Sequence, residues 1–316
     1  MRLFLTVAAF TAMAPAAAAF DCNKAATPVE RAICGDAGAR DANDAMEGAF
    51  ASLREGLSAD ARAALVAGQR AWLKFRDARC GPQAACLAEE SARRRDAIDA
   101  TPPGMLPDFR FKPGEPGGYE VVIDVYRFAD GKDPRGAAFD AVVDRMIADS
   151  PLNAPPDADK HAPYGHEIAM TIALASPNLL SAIVNVYDYS GGAHPNSSTE
   201  AIAIDRRTGE LLNAPRLFGR DGVRKLAEDC ARQVVRERSP YADMEESAAL
   251  QQLEEEFPGV VHNHASDMRR WHFRPDGAVL TFDSYAIGPY AAGPFECVFD
   301  REAVRAAIRD KELIRE

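Results

Sequence analysis

Residues 119–126, Tyr-Glu-Val-Val-Ile-Asp-Val-Tyr, decide the fold class of this chain. Apolar and aromatic side chains recur there at every second residue: Tyr119, Val121, Ile123 and Val125. That spacing is typical of a β-strand with one buried face. The next apolar group recurs instead at helical spacing: Phe139, Val142, Val143, Met146 and Ile147. A strand followed by a helix is therefore predicted.

Downstream of this pair, the same two periodicities continue along the chain. Strands are predicted at residues 168–175, 180–187, 199–205, 279–283 and 295–299. Helices are predicted at 223–236 and 300–309, with a more polar helix at 244–257. Several of these strands follow one another with short connections and no helix between them, which favours antiparallel pairing. The predicted class is α+β, with a largely antiparallel sheet and helices packed on one face.

Upstream of residue 101 the composition is different, because Ala, Arg, Glu and Asp dominate and β-branched runs are rare. A small all-α, disulfide-linked helical bundle is predicted, with helices at residues 28–34, 41–55, 58–80 and 84–99. The first helix begins with the capping-box sequence Thr27-Pro28-Val29-Glu30. The sequence Thr101-Pro102-Pro103-Gly104 then breaks the pattern. We therefore expect a helical domain at 20–100, a linker at 101–108 and an α+β domain at 109–316.

The N-terminus has the three-part layout of a secretory signal. Arg2 provides a positive end, residues 3–13 are apolar, and the small-residue run Ala16 to Ala19 precedes Phe20. We predict a signal peptide at residues 1–19 and a periplasmic or secreted protein of a bacterial envelope. The apolar stretch is shorter than the roughly 20 residues of a membrane-spanning helix, and no later stretch is apolar for long enough, so no transmembrane segment is expected. Cys22 follows Phe20 and Asp21 instead of small residues, which argues against lipidation.

The chain is acidic, with a formal net charge of -11, and loss of Arg2 with the signal peptide makes the mature charge -12. An acidic surface repels nucleic acid and anionic membranes and favours encounter with basic partners. The charge alone is equally compatible with a surface that only keeps the protein in solution. We therefore expect no nucleic-acid partner.

Six cysteines in an exported chain predict three disulfides. Cys230 falls on the apolar face of a predicted helix and Cys297 on the face of a strand shared with Phe295 and Phe299, so these two cysteines are expected to pair in the core. In the first half, the geometry of an antiparallel helical hairpin favours Cys34 with Cys80, which leaves Cys22 for Cys86. Four cysteines allow three pairings, and the other two remain open.

His194 lies in a glycine-rich turn between two predicted strands, residues 189–196. Asp188 and Ser190 are close in sequence, but the strand-turn-helix elbow of a serine hydrolase is absent and a catalytic triad is defined by geometry. Glycines at such a turn supply positive φ, and the polar side chains tie the loop down through hydrogen bonds. We expect a structural or binding loop here and no catalytic residue.

Two further groups have unusual composition. His262 and His264, followed by Asp267, would place two imidazoles on one side of an extended segment and hold a metal, although histidines in a polar loop are more often unliganded. Neither a metal nor a cofactor is predicted.

Residues 285–294 interleave Tyr285, Ile287 and Tyr290 with glycine and proline. Such a loop either presents its rings to a partner or packs them inward at the sheet edge, and both interpretations remain open.

The first half resembles the N-terminal domain of LprI-type lysozyme inhibitors over residues 20–100. The resemblance rests on residues 20–22 and 27–34, on Gln69-Arg70-Ala71-Trp72, and on Arg76 and Cys80. Gln69, Trp72 and Arg76 lie on one helical face, and packing of that face onto the preceding helices explains them equally well.

The second half resembles the extracellular domain of the RsiV-type anti-sigma factors, which are lysozyme receptors, and a similar non-catalytic domain that accompanies some polysaccharide deacetylases. This resemblance extends over residues 109–312. It rests on the loops at residues 189–196 and 285–294 described above, on Thr208-Gly209-Glu210-Leu211 and on Phe282. The resemblance implies that lysozyme is contacted by these loop residues: Tyr189, Gly191, Gly192, His194, Asn196, Tyr285, Ile287, Pro289 and Tyr290. The sigma-binding segment and a transmembrane helix are missing from the sequence, so signalling to a sigma factor is not implied.

The favoured interpretation is an exported, non-enzymatic binding protein, either a lysozyme inhibitor or a lysozyme-binding protein, with a basic lysozyme-like partner. The first alternative is a non-catalytic module that binds peptidoglycan or another wall component. The second is an unrecognised envelope hydrolase.

Overall fold

The structure is a computed structural model that describes residues 21–157 and 164–315. The predicted signal peptide lies outside these residues. The described chain divides into two compact units: residues 21–56 with Arg79–Asp99, and Leu57–Ala78 with residues 100–315. The helical bundle and the mixed sheet with helices confirm the predicted α+β class.

The first unit is entirely helical. A 3₁₀ turn at Cys22–Lys24 precedes α1 (Pro28–Gly35), α2 (Ala37–Arg54), the last residues of α3 (Ala59–Cys80) and α4 (Ala84–Asp99). The predicted capping box is confirmed, because Thr27 Oγ1 accepts from Glu30 N at 3.1 Å and Glu30 Oε2 accepts from Thr27 N at 2.8 Å. Helix α2 begins four residues earlier than predicted, since Asp36 caps it through the N–H of Ala39 at 2.8 Å.

The disulfides of the first unit differ from the predicted pairing. Cys22 joins Cys34 and Cys80 joins Cys86, so the predicted pairs Cys34–Cys80 and Cys22–Cys86 are wrong. Each bridge instead closes a short segment, of 12 residues for Cys22–Cys34 and 6 residues for Cys80–Cys86. Ile33, the neighbour of Cys34, is the residue that packs with Cys80 and Leu87, which leaves Cys34 available to the N-terminal turn.

The second unit contains a five-stranded sheet whose strand order follows the chain. Its strands are β1 (Met105–Lys112), β2 (Tyr119–Phe128), β3 (Tyr164–Ala175), β4 (Leu179–Tyr189) and β5 (Asn196–Asp205). Helix α5 (Pro134–Asp149) lies between β2 and β3, which are parallel to each other; the other neighbours are antiparallel. Residues 105–108, expected in the linker, form the start of β1. Pro107 is tolerated there because β1 is an edge strand.

A second sheet of three antiparallel strands follows, with β6 (Trp271–Arg274), β7 (Gly277–Phe282) and β8 (Phe295–Asp300). Four helices accompany it: α6 (Ala214–Glu237), α7 (Glu246–Glu256), α8 (Val260–Ser266) and α9 (Arg301–Ala307). Helix α6 is interrupted at Gly219, whose φ is 72°. A Cβ at Gly219 would lie 2.5 Å from Arg309 Nη2, so glycine permits both the backbone break and the close approach.

The described residues of the second unit form two large hydrophobic cores. In one, Phe139 and Val143 of α5 pack with Val121, Ile123 and Val184 of the five-stranded sheet. In the other, Trp271 and Phe299 pack around the disulfide that joins Cys230 to Cys297, the pair predicted from the sequence.

Two further contacts position the five-stranded sheet. The N–H of Phe273 in β6 donates to the buried hydroxyl of Ser181 in β4 at 2.9 Å. The ring of Phe75 in α3 lies 5.4 Å from that of Phe109 and 5.5 Å from that of Phe111, so α3 covers β1. Within residues 21–157 and 164–315, no helix is both long and apolar enough to cross a membrane.

Candidate binding site formed by two loops

The first candidate loop, residues 189–196, connects β4 to β5 and is called the hairpin loop below. Gly191 and Gly192 have φ values of 94° and 104°, the positive φ expected from the sequence. The Tyr189 hydroxyl donates to Gly192 O at 3.4 Å. The loop is therefore an ordered turn in which two glycines allow the reversal of the chain.

The second candidate loop, residues 283–294, connects β7 to β8 and is called the tyrosine loop below. The Asp283 carboxylate holds its base, because it accepts from the N–H of Thr199 at 2.7 Å and from Arg270 Nη1 at 2.6 Å. Two residues later, Tyr285 has a φ of 73°, an unfavourable conformation for a residue with a bulky side chain. The fold therefore holds the Tyr285 ring in place at a conformational cost.

The two loops meet through their rings. His194 stacks on Tyr290, with 3.9 Å between ring centroids and 15° between planes, and the centroid of Tyr285 lies 5.4 Å from that of Tyr290. We call His194, Tyr285 and Tyr290 the aromatic cluster. The Tyr290 hydroxyl donates to Pro195 O at 3.3 Å. The structure thus brings together two segments about 90 residues apart in sequence.

Hydrogen bonds to both ring nitrogens fix the orientation of His194 in this cluster. Its Nδ1 is 2.9 Å from Pro195 O, and since a carbonyl oxygen can only accept, Nδ1 carries the proton. Its Nε2 lies 3.4 Å from the Tyr285 hydroxyl, within hydrogen-bond distance. The Asp188 carboxylate lies 3.2 Å from His166 Nδ1, whereas the hydrogen bonds of the His194 ring join it to Pro195 and Tyr285. The Asp188, Ser190 and His194 combination considered from the sequence is therefore not assembled as a catalytic triad.

Exposure separates the two interpretations of the tyrosine loop. Tyr285 is 59% exposed and Tyr290 36% exposed, whereas Ile287 is 5% exposed. The rings therefore face the surface while Ile287 anchors the loop inward. Pro289 precedes a 3₁₀ turn at Tyr290–Ala292, and Asn196 begins β5 opposite Asp188. All nine predicted binding residues lie on these two loops or at their ends, and their role in binding stays a prediction.

Arg238 is a positioning residue that sequence reasoning missed. Its Nη1 donates to Ala292 O at 2.9 Å and its Nη2 to Gly293 O at 3.2 Å, while its guanidinium carbon lies 5.1 Å from the Phe295 ring centroid. Arg238 caps the end of α6, 54 residues before Ala292. No local sequence pattern predicts a contact between residues so far apart in the chain.

The histidines weighed as metal ligands lie on α8 and not on an extended segment. His262 is exposed, whereas the His264 ring stacks on Phe282 at 4.5 Å and its Nδ1 is 2.9 Å from Val260 O. Burial lowers the pKa of His264 below its usual value. Asp267 pairs with Arg269 at 2.8 Å. Within the described residues, no group of three potential metal ligands is found.

Three of the helical residues that carried the first resemblance are buried. Gln69, Trp72 and Arg76 of α3 are between 3% and 7% exposed, and the Arg76 guanidinium lies 5.2 Å from the Trp72 ring centroid. A packing role accounts for all three.

Two regions of the chain match known families. Residues 22–98 match the family described as lysozyme inhibitor LprI. Residues 217–302 match a protein family of unknown function, DUF3298, and this range includes the tyrosine loop but not the hairpin loop. The LprI resemblance is thereby confirmed for its region, and the resemblance to RsiV remains a prediction. No curated protein matches the chain.

Two solved structures are similar to part of the chain. One is a DUF3298 family member from Bacteroides fragilis, 17% identical, with a TM-score of 0.45, covering 67% of this chain and 97% of that chain. The other is a DUF3298 family protein from Pseudomonas aeruginosa, 17% identical, with a TM-score of 0.44, covering 66% of this chain and 94% of that chain.

Proposed function

We propose that the protein is an exported inhibitor or binding protein of a lysozyme-like muramidase. The observation that carries this proposal is the match of residues 22–98 to the lysozyme inhibitor LprI family. The net charge of -11 supports it, because acidic and basic surfaces attract each other during encounter. Three disulfides and the predicted signal peptide fit an oxidising compartment, and N-terminal sequencing of the mature chain from the envelope fraction tests cleavage after Ala19.

We further propose that the aromatic cluster contributes the contact surface in the second unit. Tyrosine is enriched among interface residues that dominate binding energy, because it buries a large rigid ring and keeps a polar tip. Tyr285 and Tyr290 combine high exposure with fixed positions, so little entropy is lost when they are covered.

Calorimetry against pure chicken-type, goose-type and invertebrate-type lysozymes, combined with a cell-wall lysis assay, tests the function. We expect binding to at least one class and slower lysis. Tyr290→Ala should weaken binding by about thirtyfold, or about 2 kcal/mol. Tyr187→Ala is the matched control, because Tyr187 is 40% exposed and lies outside the cluster. Melting temperatures are measured for every variant.

The results of this binding assay distinguish the proposed lysozyme binding from the proposed contact surface, the aromatic cluster. Equal affinity of Tyr290→Ala, Tyr285→Ala and the unmodified protein would place the contact elsewhere, and the helical unit would be the next surface to test. Absence of binding to every lysozyme class at micromolar concentration, with the protein folded, would reject the function itself.

A wall-binding module is the second candidate, since exposed tyrosine rings also stack on sugar rings. Co-sedimentation with purified peptidoglycan in the absence of any enzyme tests it. Retention on the wall without binding to lysozyme would favour this candidate.

A further inference from the structure

The outer edge of β5 is covered only in part. Strand β5 is the last of the five-stranded sheet, so one side of its backbone has no neighbouring strand within the described residues. At Thr199, the N–H donates to Asp283 Oδ1 at 2.7 Å and the C=O accepts from Arg270 Nη1 at 3.0 Å. Four residues later, Ala203 O accepts from Leu212 N at 2.8 Å. Other parts of the chain therefore hold this edge at two points.

Ala201 lies between these two points of attachment. In an antiparallel edge strand, every second residue points its N–H and C=O groups away from the neighbouring strand. Thr199 and Ala203 form bonds on the side away from β4, so Ala201, two residues from each, points its backbone groups the same way. Within the described residues, no side chain or loop peptide forms a hydrogen bond with Ala201. The cover of the edge thus has a gap one residue wide.

A cavity of about 520 Å³ opens at this gap, and we call it the β5 edge groove. Ala201 and Ala203 both line it. Ala203 packs its side chain with Phe273 in one core, whereas Ile202 packs in the core on the α5 face of the sheet. Because side chains alternate along a strand, the side chain of Ala201 lies on the same face as that of Ala203. The two alanines therefore line the groove with backbone atoms.

Most of the side chains that line the groove are apolar. Val186 of β4 and Ile202 of β5 form its floor, and Met146 of α5 forms one wall. Leu211 also lines it and is 43% exposed. The volume lies within the range of pockets that bind ligands, about 300–1,000 Å³. An aliphatic group can therefore enter beside the open backbone of Ala201.

The charges of the lining do not favour an ion of either sign. Arg145 and Arg269 balance Asp149 and Glu200. Among the described lining residues, no phenylalanine, tyrosine or tryptophan is present to stack on a sugar ring. The groove therefore combines a backbone donor and acceptor with a neutral, apolar space, and a peptide with an aliphatic side chain has the matching groups.

We propose that the β5 edge groove binds an extended, uncharged peptide segment of a protein partner. One residue of the segment exchanges two hydrogen bonds with the N–H and C=O of Ala201. The side chain of the next residue, an aliphatic one, then points to the α5 face and enters the groove. This is strand addition, in which backbone bonds give affinity and a pocket for alternate side chains gives specificity.

A segment of another protein fits this gap better than a second copy of the chain. In a second copy, Ala201 is also flanked by Asp283 and Leu212, and these flanking groups would meet before two β5 edges could pair. The identity of the partner rests on the function proposed above. Ser198 lines the groove and follows the hairpin loop by two residues, so a lysozyme that covers the aromatic cluster has the groove beside its contact surface.

Two NMR measurements on the ¹⁵N-labelled full chain test the open edge. In amide hydrogen exchange, the N–H of Ala201 should exchange at least roughly tenfold faster than that of Ile202, which is bonded to β4. The chain is then titrated with N-acetyl-glycyl-leucine N′-methylamide. This probe should shift the signals of Val186, Ala201 and Ile202. The same probe with sarcosine in place of glycine lacks one N–H and should shift them much less.

A substitution that fills the groove connects the site to the partner. Ser198→Tyr should abolish the shifts caused by the probe and weaken lysozyme binding about tenfold. Thr171→Tyr is the matched control, because Thr171 is an exposed hydroxyl residue of β3 that does not line the groove. Melting temperatures of both variants show whether the fold is retained.

The results distinguish this inference from the proposed function. If the probe shifts the groove signals but no lysozyme binds, the groove site stands and the function is rejected. If lysozyme binds Ser198→Tyr as tightly as the unmodified protein and the probe shifts nothing, the groove site is overturned and the function stands. Equal protection of Ala201 and Ile202 in the free chain, or equal shifts with both probes, would also overturn the groove site.

Discussion

The two units of the molecule are stabilised in different ways. The helical unit has a small hydrophobic cluster around Ile33 and Leu87 and two disulfides that span 12 and 6 residues. The sheet unit has two large cores among its described residues, and its disulfide spans 67 residues. Small units bury a lower fraction of their surface, and short cross-links compensate for that deficit. This difference in stabilisation predicts which unit unfolds first when cross-links, packing or pH are changed.

The largest effect is expected from removal of both disulfides of the helical unit. Replacing Cys22, Cys34, Cys80 and Cys86 by serine should cost about 5 kcal/mol on the chain-entropy model, close to the whole stability of a small unit. Hydrogen exchange followed by mass spectrometry should show loss of protection in residues 28–54 and 84–99, with β3 and β4 still protected. Continued protection of α2 and α4 would mean that helix packing alone is sufficient.

The disulfide of the sheet unit should be dispensable for folding. Replacing Cys230 and Cys297 by alanine should lower the free energy of unfolding by about 4 kcal/mol, because the bridge closes a long loop. The cores around Trp271 and Phe139 remain, so we expect a lower urea midpoint with cooperative unfolding retained. Complete unfolding of this variant would show that the comparison between the units is wrong.

The boundary between the units is also testable. A fragment of residues 105–316 lacks α3, which covers Phe109 and Phe111 of β1. Exposure of these rings should cost roughly 2 kcal/mol each, so a fragment of residues 57–316 should be about 4 kcal/mol more stable. Urea unfolding of the two fragments and of residues 20–101 measures this. Equal stability of the two longer fragments would support the boundary predicted at residues 101–104.

Regular patterns made most of the fold predictable. The alternation at residues 119–125 and the helical spacing at 139–147 correspond to β2 and α5, and the capping box at Thr27 marks the start of α1. Strand β1 was missed because Pro107 and the charges within Met105–Lys112 hide its alternation. Strand β6 has only four residues, too few for a period to be seen.

The site was predictable in its parts but not in its assembly. Glycines and rings marked both loops in the sequence, yet the stacking of His194 on Tyr290 depends on how β5 and the tyrosine loop are joined through Asp283. The contacts of Arg238 likewise depend on tertiary structure. The disulfides of the helical unit were mispaired because helix topology does not decide which of two adjacent residues, Ile33 or Cys34, faces Cys80.

Acid should destabilise the sheet unit selectively, because all six histidines lie beyond residue 160. Burial, with a smaller contribution from Arg274, lowers the pKa of His272 from 6.5 to about 4. The unfolded chain therefore binds a proton below pH 6.5 that the folded chain takes up only near pH 4. Stability from this group is present above pH 6.5 and is lost as pH falls to 4, by about 3 kcal/mol.

Urea unfolding between pH 7 and 4 measures this loss. His272→Gln should flatten the pH dependence of the free energy of unfolding, and His262→Gln, at an exposed position of α8, is the control. The lowered pKa of His264 acts in the same direction, so some slope should remain in His272→Gln. An unchanged slope in that variant would show that His272 does not couple folding to pH.

The smallest expected effect concerns a feature that the helical unit lacks, an open strand edge. Gln233 of α6 covers the edge of β8, since its Nε2 donates to Val298 O at 3.0 Å and its Oε1 accepts from Val298 N at 2.9 Å. The amide thus takes the place of a neighbouring peptide group.

Gln233→Ala should lower the free energy of unfolding by about 1 kcal/mol and promote self-association, because an uncovered edge can pair with another chain. Gln233→Glu keeps the acceptor and loses the donor, so it should be intermediate. Light scattering at increasing concentration, with urea unfolding alongside, distinguishes the two effects. Monomeric Gln233→Ala with unchanged stability would mean that water satisfies this edge equally well.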